Sequence, residues 1–208
     1  MVKVKICGIT ELEDARHAIR CGADALGFVF FAQSPRCISP ERAAEIIRQL
    51  PPFVANVGLF VNEDPVRVRE IAETCRLAAV QLHGDESAEA CAAVSGRKVV
   101  KALRVRDEKS LAGAGVYEVS ALLLDAWVPG RFGGTGTVFN WQLAAEMARS
   151  RPVILAGGLN PANVAEAVRA VRPYAVDVSS GVEISPGKKD RQKVAAFIAA
   201  AKKTGAEV

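Results

Sequence analysis

Eight alternations of a short apolar run with a capped or amphipathic segment fill this chain of 208 residues, at roughly 26 residues per repeat. An open doubly wound sheet would want a nucleotide-type glycine fingerprint after its first strand, and Gly8-Ile9-Thr10 stands there instead. The two observations predict an α/β fold in which eight parallel strands close into one (β/α)8 barrel, the TIM-barrel architecture. Residues 1–208 read as a single domain of this kind, near the lower end of its size range.

The elements follow in order. In the first strand Val2, Val4 and Ile6 alternate with Lys3, Lys5 and Cys7, which puts the thiol on one face with two lysines. Gly8 allows a sharp turn, and Thr10 with Glu13 reads as a capping box for a helix over residues 11–21. Residues 25–31 form a second strand, and Ser39-Pro40-Glu41 opens a helix with a serine cap and proline at its first position. Residues 55–61 are the third strand, followed by Asp64-Pro65 in the same role. Strand four covers residues 78–83 and its helix 87–95; strand five covers 98–105, with a short helix near 108–113. After strand six at 121–127 comes a Gly-rich loop, then a helix capped by Asn140. Strand seven takes 152–156, Asn160-Pro161 repeats the cap-then-proline device, strand eight takes 175–179, and an amphipathic helix covers 190–203.

Composition narrows the class. Half of the residues are hydrophobic and 24% are charged, enough apolar material for one substantial core. The apolar runs are strand-length and fall far short of the roughly 20 residues of a membrane span, so no membrane association is expected. The chain opens directly into a strand with no apolar signal segment, which speaks for a cytoplasmic location. Five cysteines, Cys7, Cys21, Cys37, Cys75 and Cys91, are an odd number without metal-type spacing and fit a reducing compartment. The net charge of +4 favours anionic ligands but lacks the basic run that nucleic acid would require. Neither a cofactor motif nor a metal cluster is expected.

In such a barrel the chemistry gathers at the carboxyl ends of the strands. Cys7, Ser34-Pro35-Arg36, His83-Gly84, Asp125 and Asp177-Val178-Ser179-Ser180-Gly181 all fall on that rim. Each alone has an ordinary structural explanation: Cys7 as a small core residue, Arg36 as a solvated loop charge, Asp125 as a turn cap, His83 as a satisfied core side chain. Two turns suit phosphate. Gly157-Gly158 after strand seven lets backbone N–H groups approach an anion, and Ser179-Ser180-Gly181 after strand eight adds hydroxyl donors. Barrels often hold phosphate at these two loops.

With these residues in view, the chain resembles the phosphoribosylanthranilate isomerase family. The likeness runs through Lys5-Ile6-Cys7-Gly8-Ile9-Thr10, Ser34-Pro35-Arg36, Val80-Gln81-Leu82-His83-Gly84, Leu124-Asp125, Gly133-Gly134-Thr135-Gly136, Leu155-Ala156-Gly157-Gly158-Leu159-Asn160-Pro161 and Val176-Asp177-Val178-Ser179-Ser180-Gly181-Val182-Glu183. Cys37 and Asn140 depart from the family's usual aromatic and aspartate. The resemblance implies an Amadori rearrangement of a phosphosugar-anthranilate substrate in tryptophan biosynthesis, with Asp125 as acid and Cys7 as base. An ordinary thiol of pKa ~8.5 and an ordinary carboxyl of ~3.9 both stand in the wrong protonation state at neutral pH. Each therefore needs help from its surroundings.

For Asp125 that enclosure is expected from Leu122, Leu124 and a covering loop; for Cys7, a nearby cation should lower the thiol's pKa. Lys5, one inward position below Cys7, is expected to pair with Asp177 on the adjoining eighth strand, and Lys101 is a second candidate cation by the same parity. Arg36 is expected to clamp the anthranilate carboxylate through two hydrogen bonds. Residues 128–137, with Gly133, Gly134, Thr135 and Gly136, have the length and glycine content of a lid, or of a plain connector. His83 and Gln81 read as rim residues. Two rivals stand beside this reading: the histidine-pathway isomerase, which acts on a substrate with two phosphates, and a phosphate-binding barrel without catalysis. A monomer and a homodimer are equally compatible with the sequence.

Overall fold

The computed structural model describes residues 1–94, 96–126 and 140–207. Eight parallel strands close into a barrel in sequence order, each paired with its neighbours and the first with the eighth. They are β1 (Lys3–Cys7), β2 (Ala25–Val29), β3 (Ala55–Phe60), β4 (Ala79–Leu82), β5 (Lys98–Val105), β6 (Ala121–Ala126), β7 (Val153–Leu155) and β8 (Ala175–Val178). Between them lie α1 (Leu12–Arg20), α2 (Pro40–Ile47), α3 (Pro65–Thr74), α4 (Ala88–Ala93), α5 (Trp141–Ala148) and α6 (Val164–Val171), with α7 (Arg191–Glu207) closing the chain. Two short 3-10 turns, Glu108–Leu111 and Ala114–Val116, take the helical position between β5 and β6.

Strand alternation sorts the side chains into two layers. Val4, Ile6, Leu26, Phe28, Leu122, Leu124, Val176 and Val178 are buried against the helices. A smaller group including Val100, Ala102, Leu123 and Ile154 fills the barrel interior. Leu122 and Leu124 therefore face the helices, and the expectation that they enclose the Asp125 carboxyl is not met.

The predicted caps mostly form. Ser39 and Asp64 accept from the backbone N–H groups of Arg42 and Val66, each with proline at the start of its helix. Asn140 accepts from Gln142. Thr10 does not form the expected capping box: its hydroxyl donates to the Gly187 carbonyl at 2.6 Å, and α1 begins at Leu12 without a side-chain cap. Asn160 accepts from Ala162 N, but that contact closes a turn, and the helix proper starts later, at Val164.

A small antiparallel hairpin outside the predicted elements, β9 (Glu183–Ser185) with β10 (Lys188–Lys189), lies between β8 and α7. Pro186-Gly187 at its tip is the signal that was available, and Gly187 takes the positive φ of 82° that such a turn requires. The hairpin matters because it carries Glu183 and Lys189 back over the ends of β1 and β8.

Candidate active site

Cys7, Arg36, His83, Asp125, Asp177 and the two glycine-containing turns line one pocket at the carboxyl end of the barrel. Cys7 ends β1 and is 4% exposed, with its sulfur packed over Gly27. A methyl group on Gly27 would lie 2.7 Å from Cys7 Sγ and 3.1 Å from Lys5 Cε, so both side chains converge on that backbone. The expected pair beneath the thiol is present: Lys5 Nζ donates to Asp177 Oδ1 at 2.9 Å, between residues in register on β1 and β8.

The charges around Cys7 do not win. Burial pushes its thiol above the ordinary value; Lys5 and Lys189 pull downward, Asp177 pushes upward, and desolvation of the thiolate prevails. The expected lowering of this thiol by a neighbouring cation is thus reversed in sign, although Lys5 acts in the expected direction. Burial also opposes the Lys5 ammonium, but Asp177, followed by Cys7, outweighs it and holds Lys5 above its usual value.

Lys101 is not at this site. Val100 and Ala102 face the interior, so Lys101 points outward among the helices, where its ammonium donates to the Gly84 carbonyl and to Glu86 Oε2, each at 2.8 Å. Glu86 in turn accepts from the backbone N–H groups of Asn62 and Gly84. Burial raises the Glu86 pKa, but Lys101 and these N–H donors more than offset it and hold the carboxyl below its usual range.

A second charged cluster covers the end of β1. Arg36 donates through Nε and Nη2 to Glu183, the shortest contact being 2.7 Å, and Lys189 Nζ donates to Glu183 Oε1 at 2.7 Å. Lys189 also donates to the Cys7 carbonyl, tying the hairpin to the first strand. Burial lowers the Lys189 pKa despite Glu183, whereas Glu183 is held low by Arg36 and Lys189 against its own desolvation. Arg36 therefore has one edge of its guanidinium committed to Glu183. No periodicity in so short a hairpin pointed to Glu183 or Lys189.

Across the barrel, Asp125 Oδ2 lies 3.2 Å from His83 Nε2, and His83 Nδ1 lies 2.8 Å from Gln81 Nε2. His83, just past β4, thus reaches the candidate acid directly, with Gln81 behind it. Gly157 supports it from the next strand, at a φ of 78°; a methyl group there would come within 2.4 Å of Ala126 N and 2.9 Å of Asp125 Oδ1. Gly181 is equally constrained, since a methyl group would meet the Leu159 carbonyl at 2.0 Å. Gly157 thus lets the β7 turn approach the end of β6, and Gly181 lets the β8 turn approach the β7 turn. Gly157, Gly158, Ser179, Ser180 and Gly181 all border the pocket. Ser179 Oγ is buried without a hydrogen-bond partner among the described residues.

Gly133, Gly134, Thr135 and Gly136, expected as a lid, lie outside the described residues. Among the described residues no group of His, Cys, Asp and Glu is arranged to hold a metal, and no helix is long and apolar enough to cross a membrane.

Comparison with known proteins agrees along the whole chain. The family model for N-(5'-phosphoribosyl)anthranilate (PRA) isomerase matches residues 4–200. N-(5'-phosphoribosyl)anthranilate isomerase of Pelobacter propionicus is 58% identical over 207 residues, covering 100% of this chain and 99% of that protein. The enzyme of the same name from Geobacter sp. strain M21 is 60% identical, covering 98% and 99% respectively. The crystal structure of phosphoribosyl anthranilate isomerase from Thermotoga maritima superposes with a TM-score of 0.92 at 48% identity, covering 98% of this chain and 100% of that one. A structure of phosphoribosyl anthranilate isomerase in complex with reduced 1-(o-carboxyphenylamino)-1-deoxyribulose 5-phosphate matches with a TM-score of 0.88 at 47% identity, over 98% of this chain and 100% of that one. With its barrel, its rim and its full length in agreement, the chain belongs to the N-(5'-phosphoribosyl)anthranilate isomerase family.

Proposed function

We propose that the chain converts N-(5'-phosphoribosyl)anthranilate to 1-(2-carboxyphenylamino)-1-deoxyribulose 5-phosphate, a step of L-tryptophan biosynthesis, with Asp125 as general acid and Cys7 as general base. The observation that carries this reading is an arrangement in strand order: the carboxyl on β6 and the thiol on β1 border one pocket, with the β7 and β8 turns between them. A phosphate held by Gly158, Ser179, Ser180 and Gly181 would set the sugar between acid and base.

The steps then balance. Asp125 gives a proton to the furanose ring oxygen, the C1–O bond breaks with its electron pair going to that oxygen, and the anthranilate nitrogen lone pair closes a C=N iminium. The Cys7 thiolate takes the proton from C2, and the released pair forms C1=C2 while neutralising the iminium. The resulting enol tautomerises to the ketose. Arg36, steadied by Glu183, offers its remaining Nη donors to the anthranilate carboxylate. A base that works as a thiolate must be kept reduced, which fits a cytoplasmic location.

Steady-state turnover of purified protein on freshly prepared phosphoribosylanthranilate, followed by anthranilate fluorescence, tests the assignment; the histidine-pathway aldose with two phosphates serves as control. Reaction of the control alone would keep the fold and discard the substrate. Arg36→Ala is expected to raise KM by about 10- to 100-fold, the worth of one charge-assisted hydrogen bond or two, while kcat falls much less. Lost turnover with unchanged KM would remove Arg36 from the carboxylate site.

A further inference from the structure

His83 and Gln81 have no part in the two proton transfers, yet they are the side chains that hold the candidate acid. Gln81 is 1% exposed, His83 5% and Asp125 4%, so a polar contact among them is not shared with bulk water. Gln81 on β4 and His83 just past its end point inward from alternate positions, and Gln81 Nε2, an amide nitrogen that can only donate, lies 2.8 Å from His83 Nδ1 while Gln81 Oε1 is buried without a hydrogen-bond partner among the described residues. An imidazole whose Nδ1 accepts carries its proton on Nε2. That nitrogen lies 3.2 Å from Asp125 Oδ2. The backbone that carries the imidazole is held as well: His83 N donates to the Phe60 carbonyl, and Lys101 Nζ lies 3.5 Å from the Leu82 carbonyl and 2.8 Å from the Gly84 carbonyl, on either side of His83.

Resting on the assignment of Asp125 as the acid, we propose that Gln81 and His83 form a positioning relay that fixes one oxygen of Asp125 and stabilises the carboxylate left behind when the sugar ring opens. Oδ2 accepts from His83 Nε2–H throughout, and Oδ1, the oxygen lying against Gly157 at the pocket wall, carries the proton that is given away. His83 itself gives up no proton. Negative charge appears on Asp125 only as the C1–O bond breaks, so a fixed donor on Oδ2 acts more strongly in the transition state than in the ground state. The Lys101 and Glu86 pair outside the barrel then has a role in the chemistry at one remove, because it holds the backbone on which His83 stands.

Two measurements test this. The chain has only two histidines, His17 and His83, so 15N spectra of the imidazoles of the full chain, with His17→Gln for assignment, identify the His83 tautomer. The proton is expected on Nε2. A proton on Nδ1, with Gln81 accepting through its carbonyl, would overturn the proposal. In the same enzyme, His83→Leu is expected to lower kcat about 10²- to 10³-fold with KM little changed, as for one transition-state donor. His83→Gln, whose amide can reach toward Asp125, is expected to restore a large part of that loss. If His83→Gln and His83→Leu are equally impaired, or if KM rises in step with the fall in kcat, the relay is refuted. Asp125→Asn run beside them separates the two ideas. Full activity in that variant would dismiss Asp125 as the acid whatever the tautomer spectra show.

Discussion

Asp125→Asn and Cys7→Ser are each expected to lower kcat by about 10²- to 10⁴-fold, the range one positioned acid or base supplies. Both substitutions keep the volume of a buried side chain, so the fold should survive. An asparagine can still accept from His83 Nε2 through its carbonyl oxygen, but it has no carboxyl proton to give to the ring oxygen. A serine still fits over Gly27, but its hydroxyl is far too weak an acid to stand as the anion. Because neither side chain is assigned to holding the substrate, affinity for reduced 1-(o-carboxyphenylamino)-1-deoxyribulose 5-phosphate should change little. A drop in kcat and kcat/KM together marks an interaction made only in the transition state. The raised pKa of Cys7 adds a sign. The assigned base works deprotonated and the assigned acid protonated, so a rise in pH gains thiolate while it removes carboxyl protons; alkylation of Cys7, which reads the thiolate alone, should therefore quicken from about pH 7 to about pH 9, and Cys7→Ser should lose that reaction. Turnover within about tenfold of the parent in either variant would free that residue from its assigned role.

How far the sequence reached depends on which faces of each strand it could tell apart. On β1 the alternation of Val2, Val4 and Ile6 with Lys3, Lys5 and Cys7 is clean, and the Lys5–Asp177 pair follows from it once the barrel closes β1 against β8. On β5 the run Lys98-Val99-Val100-Lys101-Ala102-Leu103 has apolar residues on both faces, because both faces of a barrel strand are covered. Parity there carried no information, and Lys101 turned out to face the helices. The Gly157 and Ser179 turns were legible because barrel position and glycine content agreed. Glu183 stood in a recognisable motif but gained its partners from Lys189, six residues later across a hairpin too short for periodicity to reveal. The contact of His83 with Asp125 joins strands that are not neighbours, and only the closed barrel brings them together.

The pair beneath Cys7 should act on the thiol with opposite signs from its two members. Lys5 lowers the Cys7 pKa and Asp177 raises it. Lys5→Met is therefore expected to slow alkylation of Cys7 by iodoacetamide at a fixed pH, and Asp177→Asn to speed it, followed by peptide mapping so that exposed Cys37 does not obscure the signal. Stability should respond differently. The pair is almost fully enclosed, with side-chain exposures of 5% and 8%, and removing one member of a buried pair leaves the other charge uncompensated at a cost of about 3–5 kcal/mol. Lys5→Met should thus unfold at clearly lower denaturant concentration. The double replacement Lys5→Met with Asp177→Leu, which leaves no charge behind, should regain much of that loss. Turnover should not return with it, because the double variant has lost the Lys5 ammonium that sits below the sulfur. Equal alkylation rates in the two single variants would reduce the pair to a packing device without electrostatic hold on the base. Recovery of turnover in the double variant would show that Cys7 works without the field of Lys5, and the burden of forming the thiolate would pass to Lys189, the other cation acting on it.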